Sequence, residues 1–283
     1  MILAPLRGVT IRCFRRTFAG EIAEAGFSEA VTPFVTANKG VDPLRDRELK
    51  GGESIATTPQ FISKDPSALR DCLLRIREAG YATADLNAGC PFPMVRNKGR
   101  GSGLLRTPDV LRRLLEVGCE TMGEGRFSLK TRLGVERPDE LLALMPIING
   151  FPLRYLTVHA RTARQMYDGE CDRAAFERVA AASKLPVVYN GDAESSVAPV
   201  CCPVHDVMVG RGFIRALGRR PDASALLVRY IAASREELSG ERPVLGRIKE
   251  LVAYWRDIPA WRRRWHVVKL ARSLSELELA IKD

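Results

Sequence analysis

Short apolar runs recur along the chain and alternate with amphipathic stretches in a regular order. The runs at 2–4, 28–33, 55–62, 83–87, 127–132, 155–159, 187–190 and 207–210 have the length and residue character of strands. Between them, residues 14–25, 66–79, 108–122, 138–145 and 173–183 repeat apolar side chains at helical spacing. Several of these stretches open as helices do, with Asp65-Pro66, Thr107-Pro108 and Arg137-Pro138-Asp139-Glu140 at their starts. Eight strands interleaved with helices over about 215 residues predict an α/β fold, a (β/α)8 TIM barrel. Two connections read poorly as helices. Residues 40–52 are charged and irregular, and 195–202 leave room for two turns.

After Gly218 the alternation stops. Residues 219–283 keep helical periodicity only, as in Ile248, Leu251, Val252 and Trp255, then Val267, Leu270, Leu274 and Leu277. The expected organisation is a barrel domain over 1–218 followed by a C-terminal all-helical domain over 219–283.

Charge sharpens this picture. The chain carries 44 basic and 34 acidic residues, a net +10, with 35 arginines against nine lysines. Arginine grips phosphate bidentately, but composition alone leaves a nucleic-acid partner and a G+C-rich genome equally open. Arg262-Arg263-Arg264, beside Trp261 and Trp265, is the densest basic and aromatic patch. By itself it reads as a solvated helix face with tryptophans turned to the core. Attached to a barrel enzyme, it reads as a docking surface for a large anionic substrate. The seven cysteines are scattered, with no Cys-x-x-Cys pair, so neither a disulfide framework nor a zinc site is indicated. No apolar run reaches membrane-spanning length, and the N-terminus lacks the charged and apolar regions of a signal peptide. The expectation is a reduced, cytoplasmic, monomeric protein with no metal and no membrane contact.

In a parallel barrel the chemistry sits at the C-terminal ends of the strands. The fourth strand ends Asp85-Leu86-Asn87-Ala88-Gly89-Cys90-Pro91, where glycine and proline stop the strand and deliver a cysteine on a turn. The glycine-rich stretch 97–103 follows, and reads as a loop flexible enough to close over the site. The fifth strand places Lys130 and Arg132 in one inward register, and the sixth ends with His159 and Arg161 in another. An inward lysine needs an anionic partner, which a structural salt bridge or a cofactor would supply equally well. Of the three histidines, only His159 stands at a strand end; His205 and His266 read as structural. Asn190-Gly191-Asp192 ends the seventh strand and Gly210-Arg211-Gly212 the eighth. Glycines on those two successive strand ends, with the N-terminus of a following helix, make a phosphate site.

These residues, in this order and spacing, resemble the tRNA-dihydrouridine synthases. The resemblance is carried by Ala4-Pro5-Leu6, Gln60, the Asp85–Pro91 run, Gly99-x-Gly101-Ser102, Lys130-x-Arg132-Leu133-Gly134, Val158-His159-Ala160-Arg161-Thr162, Tyr167, Asn190-Gly191-Asp192 and Gly210-Arg211-Gly212. It spans most of the chain. Arg247-Ile248-Lys249 with Tyr254-Trp255-Arg256 looks most like the bacterial subfamily that modifies position 16 of the tRNA D-loop. Four positions depart from the family pattern: Leu6 replaces a usual methionine, Arg7 stands where a small or acidic residue is common, and Ala88 and Ala160 stand where close relatives vary or carry glycine.

The resemblance implies an FMN-dependent enzyme, reduced by NADPH, that converts uridine in tRNA to 5,6-dihydrouridine. It assigns the FMN phosphate to Asn190, Gly191, Asp192, Gly210 and Arg211. Backbone contacts to the ring fall to Pro5, Leu6 and Arg7, the polar ring edge to Gln60, and the edge that becomes negative on reduction to Lys130 and His159. The flipped uridine falls to Asn87, Arg132 and Tyr167. Hydride reaches C6 of the uracil, and Cys90 protonates C5, which requires a thiol that is still protonated at neutral pH. Cys72 and Cys119, on helical faces, read as inert. Two other functions compete: an FMN barrel that reduces a free pyrimidine, and a flavin- and RNA-binding protein without reductase activity.

Overall fold

A computed structural model describes residues 1–282. Ten strand segments, all parallel to their neighbours, form one continuous sheet: β1 (Ile2–Leu3), β2 (Glu29–Val31), β3 (Val35–Thr36), β4 (Ala56–Thr58), β5 (Gln60–Ile62), β6 (Ala84–Ala88), β7 (Phe127–Gly134), β8 (Leu156–Thr162), β9 (Val187–Asn190) and β10 (Asp206–Val209). The sheet order starts at β3-β5-β6 and ends at β1-β2-β4. Its two ends are the same pair of strands. Pro59 alone separates β4 from β5, and Thr32-Pro33-Phe34 separates β2 from β3. Proline has no N–H for a ladder, so each of these two strands is cut in two. The gap is bridged by Thr32 N–H to Thr58 O (3.0 Å) and Gln60 N–H to the Thr32 hydroxyl (3.0 Å). Ten segments therefore make eight strands, and the barrel closes as the periodicity predicts.

The helices are α1 (Arg12–Thr17), α2 (Ala19–Glu24), α3 (Pro66–Glu78), α4 (Pro93–Arg96), α5 (Pro108–Met122), α6 (Glu140–Ile148), α7 (Arg173–Ala182), α8 (Arg211–Arg219), α9 (Ala223–Glu237), α10 (Glu241–Val252), α11 (Pro259–Leu270) and α12 (Leu274–Lys282). The stretch expected as one helix from 14 to 25 is two, joined at Phe18. The Phe18 ring packs on Phe14 at 4.6 Å and on Tyr230 of α9 at 5.3 Å. The expected helix 138–145 runs two residues later at its start and three further at its end, because the carboxylate of Glu140 turns back to accept from the N–H groups of Val135, Glu136 and Arg137. Residues 40–52 hold only two 3-10 turns, Pro43–Arg45 and Arg47–Leu49. They are pinned by the buried guanidinium of Arg15, which pairs with Glu48 (2.9 Å) and Glu53 (2.6 Å). Residues 195–202 form bends and no helix, so β9 passes to β10 without the expected turns.

Helices α9–α12 follow the barrel and pack against its α1 and α8 side. Two tryptophans make the joint. Trp255 and Trp261 are buried with ring centroids 4.6 Å apart, and their indole N–H groups donate to Ile214 O (2.6 Å) and Gly218 O (2.9 Å) on α8. An indole pair that buries its surface and satisfies helix carbonyls contributes on the order of 3–5 kcal/mol per ring by truncation. Trp261 is thus a core residue, not part of a surface patch. Arg264 lies over its ring (5.2 Å) and donates to the Ser224 hydroxyl, which leaves Arg262 and Arg263 as the fully exposed members of the basic cluster.

Candidate active site

The C-terminal ends of the strands surround a cavity that opens to solvent. One wall is the turn after β6. Asn87 Oδ1 accepts the N–H groups of Gly89 (3.1 Å) and Cys90 (2.8 Å), and Ser102 grips the Cys90 carbonyl with its N–H (3.1 Å) and its hydroxyl (2.9 Å). Arg132 Nε donates to Gly89 O at 2.8 Å. Gly101 adopts φ +57°, and a Cβ there would lie 2.8 Å from the Cys90 Cβ. Only glycine fits. The glycine-rich stretch is therefore not a free lid: residues 101–105 are buried in a 3-10 helix that clamps the cysteine, and only 97–98 are exposed. Cys90 lines the cavity and is 7% exposed. Burial pushes its thiol pKa up, against the pull of the Phe92 N–H and the nearby Arg132, Arg7 and Lys130 charges, so the group stays protonated at neutral pH.

The floor carries the cations. Lys130 Nζ donates to Asn190 Oδ1 (2.8 Å), and Asn190 in turn donates to Met208 O (2.7 Å). Burial, then the charge of Arg132, brings the Lys130 pKa down to about 8. His159 is held well below its ordinary value by burial and by Arg132, Lys130, Arg161 and Arg211 around it, so the ring is neutral. Arg161 approaches His159 Nε2 at 3.3 Å and can only donate, so Nε2 accepts and Nδ1 carries the hydrogen. Arg132 donates to Thr162 O (2.9 Å) and Met166 O (2.7 Å) as well as to Gly89 O, tying the β6, β8 and 163–172 loops together. Tyr167, 38% exposed at the rim, carries the guanidiniums of Arg132 (5.3 Å) and Arg211 (5.1 Å) over its ring. Both are cation–π contacts that hold the ring at the rim.

The opposite corner is built from the ends of β9 and β10. The first N–H groups of α8 have no intrahelical partner and face the cavity beside Gly191, Asp192 and Gly210. Gly212 packs against the carbonyl of Ala193 so closely that any Cβ would strike it, which locks the two turns into one concave corner. Asp192 stands at φ +48°, with its carboxylate between Arg161 and Arg211 (2.8 Å to the latter). Partial burial would raise its pKa, but the two guanidiniums win and hold it below the usual range. The corner combines unpaired N–H groups, a helix N-terminus and two arginines. Its chemistry suits a phosphate monoester.

The structure brings most of the expected residues together. Pro5, Leu6, Arg7, Asn87, Cys90, Lys130, Arg132, His159, Tyr167, Asn190, Gly191, Asp192, Gly210 and Arg211 all line one cavity. Gln60 does not. It is fully buried below the mouth, with its amide shared between Asp85 and Asn87. Asn190, expected at a phosphate, uses its side chain to anchor Lys130. The Leu6 N–H is taken by the Thr10 hydroxyl (2.7 Å), which also donates to Ala4 O and so shapes the first loop. Cys72 and Cys119 are buried, with pKa values pushed up to about 11 by desolvation; His205 and His266 are exposed. Arg161, Ser102, Thr10 and Asp85 have parts in the site that the sequence did not assign to them. The inward register of β8 signals Arg161, and Ser102 closes the Gly99-x-Gly101-Ser102 motif, but nothing local marks Thr10.

The fold and site define a parallel (β/α)8 barrel whose polar side chains converge at the strand C-termini around a cationic mouth. The model of the family described as dihydrouridine synthase (Dus) matches residues 2–227, and the chain belongs to that family. Among curated relatives, tRNA-dihydrouridine synthase B of Vibrio cholerae is 31% identical over 199 residues, 69% of this chain and 60% of that protein. A probable tRNA-dihydrouridine synthase of Rhodobacter capsulatus is 32% identical over 237 residues, 80% of this chain and 71% of that one. The matched segment thus spans about 60% of the length of the Vibrio relatives. Among solved structures, morphinone reductase in complex with tetrahydroNAD shares the fold at 12% identity and a TM-score of 0.50, over 76% of this chain and 83% of that one. An old yellow enzyme homologue from Zymomonas mobilis is equally similar in fold, at 12% identity and a TM-score of 0.50, over 76% and 85%. Among the described residues, no helix is long and apolar enough to cross a membrane.

Proposed function

We propose that this chain reduces uridine to 5,6-dihydrouridine in the D-loop of tRNA, with FMN as cofactor and NADPH as reductant. The observation that carries the reading is a buried thiol clamped on one wall of a cationic mouth that the N-terminus of α8 also lines. The first N–H groups of α8, the Gly191–Asp192 turn and Arg211 would hold the FMN phosphate. Lys130 and neutral His159 would lie along the ring, with the backbone of Pro5, Leu6 and Arg7 at its other side. When bound, FMN supplies hydride for C6 of the uracil. Everything else falls to the chain. Asn87, Arg132 and Tyr167 orient the base, with Tyr167 at the rim. Cys90 gives its proton to C5, and the loss of that proton is eased by the cations of Arg132, Arg7 and Lys130 nearby.

Residues 219–283 would dock the folded tRNA through their basic face. Of the segment that suggests position 16, Arg247 faces Ser234 and Glu237, Lys249 caps the carbonyls of Lys269 and Ala271, and Trp255 is core. Tyr254 and Arg256 instead line a groove beside Arg211 and Arg215 at the mouth, where they are able to meet RNA. Turnover of a tRNA transcript should be measured against that of free uracil, with dihydrouridine located by mass spectrometry. Reduction of tRNA alone, at a D-loop uridine, supports this reading. Activity on the free base would transfer the protein to the pyrimidine reductases.

A further inference from the structure

One fully buried carboxylate lies beneath the mouth with no task in the proposed reaction. Asp85 on β6 pairs in register with Gln60 on β5 and with Ser128 on β7, so the three side chains share one row inside the barrel. Ser128 Oγ donates to Asp85 Oδ1 at 2.6 Å, and Gln60 Nε2 donates to Oδ2 at 2.7 Å. Gln60 Oε1 accepts from Asn87 Nδ2 at 2.8 Å, one row higher. Asn87 Oδ1 then accepts the N–H groups of Gly89 and Cys90. Each amide has one donor end and one acceptor end, so each is oriented by its neighbour. Ionised, or protonated on the Oδ1 that faces Ser128, this carboxyl leaves Oδ2 as an acceptor for Gln60. It obliges Gln60 to present Nε2 downwards and Oε1 upwards, and Asn87 to present Nδ2 to Gln60 and Oδ1 to the turn. With Gln60 reversed, its Oε1 would meet the Asp85 carboxyl oxygen; with Asn87 reversed as well, the N–H groups of Gly89 and Cys90 would meet an –NH2 instead of an oxygen.

We propose that Asp85 is a positioning residue for Cys90: it sets the direction of the Gln60–Asn87 amide relay, which holds an acceptor under the Cys90 N–H and keeps the thiol in the mouth. The catalytic consequence rests on the reading of Cys90 as the proton donor; the relay itself does not. Nor does it use a flavin. It is a feature of the barrel interior that reaches the site through two hydrogen-bonded side chains.

Alkylation tests it directly. Labelling of Cys90 by iodoacetamide in the folded protein, read by mass spectrometry of its peptide and normalised to exposed Cys201, reports the order of the turn. Gln60→Glu sets a second carboxylate against Asp85, and Cys90 labelling should rise about tenfold as the turn loosens. Adding Asp85→Asn moves the charge one residue along the relay. The amide introduced at position 85 donates to the carboxylate introduced at position 60, and that carboxylate still accepts from Asn87. Cys90 labelling in the double variant should return to within about threefold of the unsubstituted protein. Unchanged labelling in Q60E, or a double variant that labels as fast as Q60E, overturns the relay. Should Q60E fail to fold, the double variant decides: folded with Cys90 protected supports it, and unfolded or rapidly labelled refutes it. Dihydrouridine formation measured on the same proteins separates the two ideas. If turnover ignores a large change in Cys90 labelling, the thiol is not the donor, and the relay stands on its labelling result alone.

Discussion

The two walls of the mouth are built on opposite principles. The cysteine turn after β6 is closed: its carbonyls and N–H groups are taken by Asn87, Ser102 and Arg132, and Gly101 leaves no room beside it. The corner at β9 and β10 is open. Its first helical N–H groups are unpaired, and Asp192 sits at a positive φ with two arginines on its carboxylate. A group that must deliver one proton to one carbon needs a fixed position, and saturated hydrogen bonding provides it. A group that must receive a ligand needs unsatisfied donors, and a helix N-terminus provides those. Damage to the two walls should therefore separate chemistry from cofactor retention.

The largest effect is expected on the closed wall. Cys90→Ala should lower dihydrouridine formation by about 10²–10⁴-fold, the usual weight of a general acid, while flavin absorbance and tRNA affinity are retained. Loss of flavin in that variant would break the contrast. On the open wall, Gly212→Ala drives a Cβ into the Ala193 carbonyl and spreads the corner. Flavin affinity should fall by about 10–100-fold, seen by fluorescence titration, with Cys90 labelling unchanged. Away from both walls, tRNA affinity should fall steeply with salt. Arg262→Gln with Arg263→Gln should flatten log K against log salt by roughly 0.7–0.9 for each phosphate no longer neutralised. Arg264→Gln should change the slope little, because that side chain is engaged by Trp261 and Ser224. Salt-insensitive binding would remove the docking role of the helical region.

The smallest effect concerns stability. Burial pushes Asp85 up to about 7, despite hydrogen bonds from Ser128 and Gln60. In the unfolded chain it titrates near 4, so between about pH 4 and 7 the folded state binds the extra proton. Asp85 therefore costs stability as pH rises through that window. Asp85→Asn does not titrate, and can still turn its carbonyl to Gln60 and its –NH2 to Ser128. Its melting temperature relative to the unsubstituted protein should rise by a few degrees from pH 5 to pH 8. A constant difference across that range would show that Asp85 does not change its ionisation between pH 5 and pH 8.

Much of this architecture is legible in the chain. Alternating strand and helix periodicities predict an eight-stranded barrel, and the strand-ending positions of Cys90, Lys130, His159, Gly191 and Gly210 predict one mouth, because parallel strands present their C-termini on a single face. Side-chain parity along β7 and β8 suffices to turn Lys130, Arg132, His159 and Arg161 inward. Partners are another matter. Gly101 reads locally as flexibility and in fact packs so close to Cys90 that no side chain fits there. Trp261 reads equally as a core residue or as part of a basic, aromatic surface, and is an anchor to α8. Gln60 reads as a ligand of the mouth and is held beneath it by Asp85. The sequence by itself determined which face of which element each side chain occupies, since backbone periodicity is local. Only the tertiary structure decided which of those side chains are saturated and which are free, because a hydrogen bond between residues 27 or 43 positions apart, as between Asn87 and Gln60 or Ser128 and Asp85, exists only once the barrel has closed.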